Sequence, residues 1–237
     1  MRSWPTWQYD EFQHCGVDYN DTLLAESFDE QHACFRGDMA AAAEDLLDEL
    51  GVTPGQTLLD LGCGTGFLAV QAARRCRTVY AVDVSPAMLQ VARRKADAAG
   101  VENIVFSRGG FLTYEHTESK IDVITSMAAL HHLPDFWKLI GLRRITDMLA
   151  DDGLFYLMDS VYSFPPDEYA HYFDGQVAWA REHVNEAFSQ EITVALRDEH
   201  STWDWIMEGL LTKAGFTIER ALYPGLIARY WCRKRKG

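Results

Sequence analysis

The chain has 237 residues, 48% hydrophobic and 24% charged, a globular profile that excludes disordered, collagen-like and low-complexity readings. Its 22 Lys and Arg against 35 Asp and Glu leave a net charge of −13, a field that repels polyphosphates, so nucleic acid is not an expected partner. Five cysteines (Cys15, Cys34, Cys63, Cys76, Cys232) without a C-x-x-C pair indicate neither a disulfide framework nor a zinc site, and with no signal pattern at Met1–Asp10 and no apolar run near about 20 residues the expectation is a cytoplasmic protein away from membranes.

Residues 1–35 are aromatic and acidic (Trp4, Trp7, Tyr9, Phe12, Tyr19, Phe28) and show no convincing secondary-structure period. They are expected to form an N-terminal cap or lid, followed by a helix at about Asp38–Leu50 that Gly51 ends. From residue 57 short β-branched runs alternate with helical stretches, the pattern of a parallel sheet covered on both faces. Strands are expected at Thr57–Leu61, Thr78–Asp83, Asn103–Ser107, Ile121–Ser126, Leu154–Met158, Thr217–Leu222 and Leu226–Cys232. Ser85 as cap, Pro86 at the first position and Gly100 as terminator predict a helix over 86–99. Residues 160–200 form an aromatic insert (Tyr162, Phe164, Tyr169, Tyr172, Phe173, Trp179, Phe188), too long for a plain connection and expected to cap a substrate. A helix near Trp203–Ala214 follows, in which Trp203, Trp205 and Leu210 have the spacing of core residues. The fold class expected is therefore α/β: a doubly wound, mostly parallel seven-stranded sheet with helices on both faces, plus the cap and the insert.

The strongest chemical signal is Leu58-Leu59-Asp60-Leu61-Gly62-Cys63-Gly64-Thr65-Gly66, a buried strand running through a glycine turn into a helix. Glycines let the backbone turn sharply and let a ligand approach closely. The G-x-G-x-G spacing brings the third glycine one residue earlier than a dinucleotide fingerprint does, and Asp83 ends the second strand where it can accept from ribose hydroxyls. These features point to an adenosine ligand without a pyrophosphate.

With these motifs in order, the chain resembles class I S-adenosylmethionine-dependent methyltransferases over about residues 36–233. Asp60 to Gly66 resembles the family's first motif, Val82-Asp83-Val84-Ser85 with Met88 its second, Ile121 to Ser126 its fourth, and Leu149 to Met158 its fifth strand. The resemblance implies a methyltransferase domain over 36–237 that binds S-adenosylmethionine and releases S-adenosylhomocysteine. The cofactor residues it implies are Asp60, Gly62, Cys63, Gly64, Thr65, Gly66, Asp83, Val84, Met88, Gly110, Phe111, Ser126 and Met127, with Asp83 on the ribose and Met88 over the adenine. Gly109-Gly110-Phe111 falls where many relatives carry a Gly-Asp pair that receives the adenine amine, so that contact must come from backbone or another side chain.

In such a sheet the loop Met127-Ala128-Ala129-Leu130-His131-His132-Leu133-Pro134 opens beside the glycine turn, which makes His131 and His132 candidates for the transferred methyl's surroundings or for shaping the loop. No metal is expected, because neighbouring side chains diverge and no third ligand is evident. Residues Trp7–Phe12 and Val17–Tyr19 resemble the cap of small-molecule methyltransferases, with Tyr9 and Tyr19 as further catalytic candidates, although a hydrophobic clasp fits the same residues. The function expected is methyl transfer to a small-molecule acceptor by a monomer or homodimer. A protein-directed methyltransferase and a non-enzymatic S-adenosylmethionine-binding module are the alternatives.

Overall fold

The computed structural model describes residues 5–36 and 39–235. In β1 (Thr57–Leu61) Leu59 and Leu61 enter one core and Leu58 another, and β2 (Thr78–Asp83) repeats the division with Tyr80 and Val82 against Val79 and Ala81. Successive strand residues point to opposite faces, so a sheet with apolar side chains on both must be covered on both. Helices α2 (Met39–Glu49) and α3 (Phe67–Ala73) cover one face through Leu47, Leu68 and Ala72. Helices α5 (Asp135–Met148) and α8 (Asp204–Ala214) cover the other through Leu142, Ile145, Met207 and Leu211.

The main sheet runs β3 (Ile104–Arg108), β2, β1, β4 (Ile121–Met127), β5 (Leu149–Tyr162), β8 (Ile227–Lys234), β7 (Phe216–Leu222). β1 to β5 are parallel, and β8 is antiparallel to β5 and β7. A two-residue β6 (Thr202–Trp203) pairs with the end of β5, making eight strands where seven were expected. The direction of winding reverses between β1 and β4, and the crevice beyond the carboxyl ends of these strands is where an open α/β sheet binds ligands.

Helix α4 (Pro86–Ala99) has the expected punctuation: Ser85 Oγ accepts from the Met88 amide at 3.1 Å, Pro86 opens the helix and Gly100 closes it with φ 65°. Elsewhere the structure departs from the expected elements. Within residues 1–35, α1 (Thr22–Arg36) is a helix capped by Asp21, whose Oδ1 accepts from the Leu23 amide at 2.8 Å. Its apolar stripe is narrow, Leu24, Ala25 and Phe28 packing on Met88 and Val91 of α4. β5 is longer than expected because Asp152 turns at φ 63°, letting Leu149 pair with Ile121 across an irregularity before Leu154 pairs with Val123. The insert folds as α6 (Tyr169–His183) and α7 (Glu186–Asp198), and its Phe164 stacks on Tyr172 at 4.3 Å and packs edge-on to Trp203. Trp205, expected in the core, is 68% exposed. Trp4 and Asp38 lie outside the described residues.

Candidate active site

After β1 the backbone turns through three left-handed glycines, Gly62 (φ 79°), Gly64 (φ 53°) and Gly66 (φ 76°), into α3. A side chain at Gly62 would collide with Ala129 and one at Gly66 would lie 2.8 Å from the Cβ of Ala92, whereas Gly64 faces open space. Asp83, buried at the end of β2, accepts from the Gly64 amide through Oδ2 and the Ser85 amide through Oδ1, both at 2.8 Å. Burial pushes its carboxyl above the usual range, and these backbone donors oppose the shift. Asp60 is deeper: burial raises it to about 7 while the Thr125 hydroxyl donates to its Oδ1 at 2.9 Å.

The N-terminal segment crosses the crevice. Ser85 Oγ donates to the Tyr19 carbonyl at 2.6 Å, and Thr65 Oγ1 donates at 2.6 Å to Asp29 of α1, which also pairs with Lys95. Glu11 enters the β3–β4 connection, where both carboxylate oxygens accept from the Leu112 amide and one from the Thr113 hydroxyl. A Cβ on Gly110 would lie 2.5 Å from Glu11 Oε2, so the carboxylate fills the space a side chain at 110 would need. Burial raises the Glu11 pKa against these donors.

The adjacent histidines do not diverge: their ring centroids are 4.4 Å apart. His131 is clamped, Nδ1 on buried Asp159 from the end of β5 and Nε2 3.2 Å from Glu199, which precedes β6. Burial alone would lower its pKa, but the two carboxylates raise it to about 10, and His131 in turn holds both acids below their usual range. In the absence of another ligand it is a fixed cation, a poor general base. His132 is its opposite, lowered to about 4 by burial and by the neighbouring charge. Its Nδ1 lies 3.3 Å from the Cys15 carbonyl, which can only accept, so Nδ1 carries the proton and Nε2 the lone pair.

One pocket gathers thirteen of the seventeen expected residues: Gly62, Cys63, Gly64, Thr65, Asp83, Val84, Met88, Gly110, Phe111, Met127, Tyr19, His131 and His132. Asp60 and Ser126 are buried in the sheet behind it, and Gly66 faces Ala92. Tyr9 stands outside, its hydroxyl donating to the His132 carbonyl at 3.2 Å, with a pKa pushed by burial to about 12. Not singled out as site residues in the sequence, though they belong to the expected cap, are Glu11, Cys15, Asn20 and Phe28, which reach the pocket from the N-terminal segment. The aromatic side chains of the insert pack on one another, and its contribution at this end is Glu199 on His131. No Lys or Arg is among the described residues lining the pocket.

Residues 58–153 match the methyltransferase domain family. An "uncharacterized methyltransferase" of Geobacillus thermodenitrificans is 28% identical over 212 residues, 90% of each chain. The ubiquinone biosynthesis O-methyltransferase of Hahella chejuensis is 37% identical over 92 residues, 38% of each chain. Among solved structures, an S-adenosylmethionine-dependent methyltransferase from Clostridium acetobutylicum superposes with TM-score 0.65 at 13% identity, covering 89% of this chain and 99% of its own. One from Aquifex aeolicus gives TM-score 0.61 at 19% identity over 90% of this chain and 98% of its own. The class these define is the class I S-adenosylmethionine-dependent methyltransferase. The chain carries a methyltransferase domain over residues 58–153 and is similar along most of its length to methyltransferases.

Proposed function

We propose that the pocket binds S-adenosylmethionine and passes its methyl group to a small-molecule acceptor. The observation that carries the reading is the pocket's charge: buried carboxylates of Asp83 and Glu11 face it, no Lys or Arg does among the described residues, and the His131 cation in its wall is already paired with Asp159 and Glu199. That lining suits ribose hydroxyls, an adenine amine and a sulfonium cation, and offers nothing for a pyrophosphate. In this reading Gly62 to Thr65 leave room for the methionine part, Asp83 takes the ribose, Met88 and Val84 flank the adenine, and Glu11 supplies the carboxylate that Gly110 lacks.

When bound, the sulfonium supplies an activated methyl carbon, so what remains for the chain is to hold the acceptor in line and exclude water. Met127, His132 and Tyr19 form the wall available to the acceptor, with Tyr19 edge-on to His132 at 5.7 Å. Residues 9–20, bonded to His132, Ser85 and Thr113, act as the cap, which leaves space for a small molecule rather than a macromolecular strand. The test is incubation of the purified chain with methyl-labelled S-adenosylmethionine and a metabolite extract. Label in a low-molecular-weight product supports the reading; label confined to protein overturns the acceptor class.

A further inference from the structure

We propose that His131, His132 and Glu199 form a three-ligand site for a divalent transition-metal ion, Zn2+ by its donor set, in the wall of the pocket. One ligand atom from each residue lies within 4.8 Å of the others. The separation of His131 Nε2 and Glu199 Oε2, 3.2 Å, matches the edge between two ligands each about 2.1 Å from a tetrahedral ion. Glu199 has a second oxygen with a separate claim: Oε1 is buried without a hydrogen bond of ordinary length, although the carboxylate faces the Val17 backbone, in a side chain only 5% exposed. A buried carboxylate oxygen left so is costly unless something occupies it.

The surroundings hold the three donors still. Asp159 accepts from Nδ1 of His131, the outer carboxylate that fixes a ligating imidazole and leaves Nε2 for the ion. The Cys15 carbonyl fixes His132 as the Nδ1–H tautomer and leaves its Nε2 lone pair free. Glu199 is held from its neighbour: buried Lys138 donates to the His200 carbonyl, and the His200 amide donates to the His131 carbonyl at 2.9 Å. Gly16 (φ 79°) closes the site from the N-terminal side, since a Cβ there would lie 2.5 Å from Glu199 Cγ and Oε1. Ion binding displaces the proton from His131 Nε2 to solvent and leaves the Nδ1 proton on the imidazole, hydrogen-bonded to Asp159.

Two His and one Glu are a ligand set that leaves a coordination position open, and since His131 and His132 line the pocket that position faces it. An ion there polarises an acceptor hydroxyl or thiol that reaches it, and the displaced proton leaves to solvent. The ligand set stands on its own geometry; this use of it rests on the methyltransferase reading.

The test is titration of the untagged full chain, stripped with a chelator and dialysed, with Co2+. The expected result is one equivalent bound, visible d–d absorption without a thiolate charge-transfer band, and displacement by one equivalent of Zn2+. Glu199→Gln and His132→Gln should each weaken Co2+ at least tenfold while circular dichroism and thermal unfolding show a folded protein. Absence of stoichiometric binding, a thiolate band, or unchanged affinity in a folded variant overturns the site. S-adenosylhomocysteine is titrated into the same samples. Cobalt bound without the nucleoside sinks the cofactor reading alone, and the nucleoside bound without cobalt sinks the metal site alone.

Discussion

Asp83 and Glu11 enter the pocket with different histories in the sequence. Asp83 ends a strand directly after an apolar run, and the role proposed for it follows from position alone; if it holds the ribose, Asp83→Ala should weaken S-adenosylhomocysteine by about 1.5 to 3 kcal/mol, read by calorimetry, through the loss of charge-assisted bonds. Glu11 is 101 residues from its partner Leu112, so nothing local distinguishes it from Asp10 beside it. Its signal is negative: with no acidic residue at Gly110, the sequence leaves the adenine contact to backbone or to another side chain. If Glu11 takes the adenine amine, the wild type should prefer the adenosyl compound to its inosyl analogue and Glu11→Ala should lose that preference. Equal preference before and after the substitution would remove Glu11 from the nucleoside site. The histidine pair was legible as a location and not as chemistry, because the clamp on His131 comes from Asp159 and Glu199, 28 and 68 positions downstream.

At the scale of elements, strands and caps that rest on local chemistry were readable: β1, β2 and the Ser85–Gly100 helix have the expected limits. What was hidden depends on tertiary contact. α1 has too narrow an apolar stripe to announce itself before it meets α4, and β5 crosses a polar Asp-Asp-Gly break that only pairing with β4 bridges. The glycine turn gives a sharper expectation. Gly66→Ala combines a left-handed φ of 76° with a Cβ 2.8 Å from Ala92, and should cost about 2 kcal/mol in denaturant unfolding. The fit between Glu11 and Gly110 predicts a rescue: Gly110→Asp should loosen the N-terminal segment, seen as faster hydrogen exchange across residues 9–20, and Glu11→Ala in the same chain should restore nucleoside binding. A double variant no better than Gly110→Asp alone would mean that the two carboxylates do not share a place.

The molecule as a whole is an acidic α/β enzyme with net charge −13, and among its described residues no helix is long and apolar enough to cross a membrane. That charge predicts no salt-sensitive binding to tRNA or duplex DNA at physiological ionic strength, and a gel shift that fades steeply with salt would contradict it. The order of the sheet places the winding reversal, the glycine turn and the acidic crevice at one end of the strands, and the N-terminal segment closes over that end. The most direct measurement is calorimetric titration of the purified chain with S-adenosylhomocysteine and, separately, NAD. The account predicts stoichiometric binding of the former and none of the latter; equal or tighter binding of NAD, or no binding of S-adenosylhomocysteine, would contradict it.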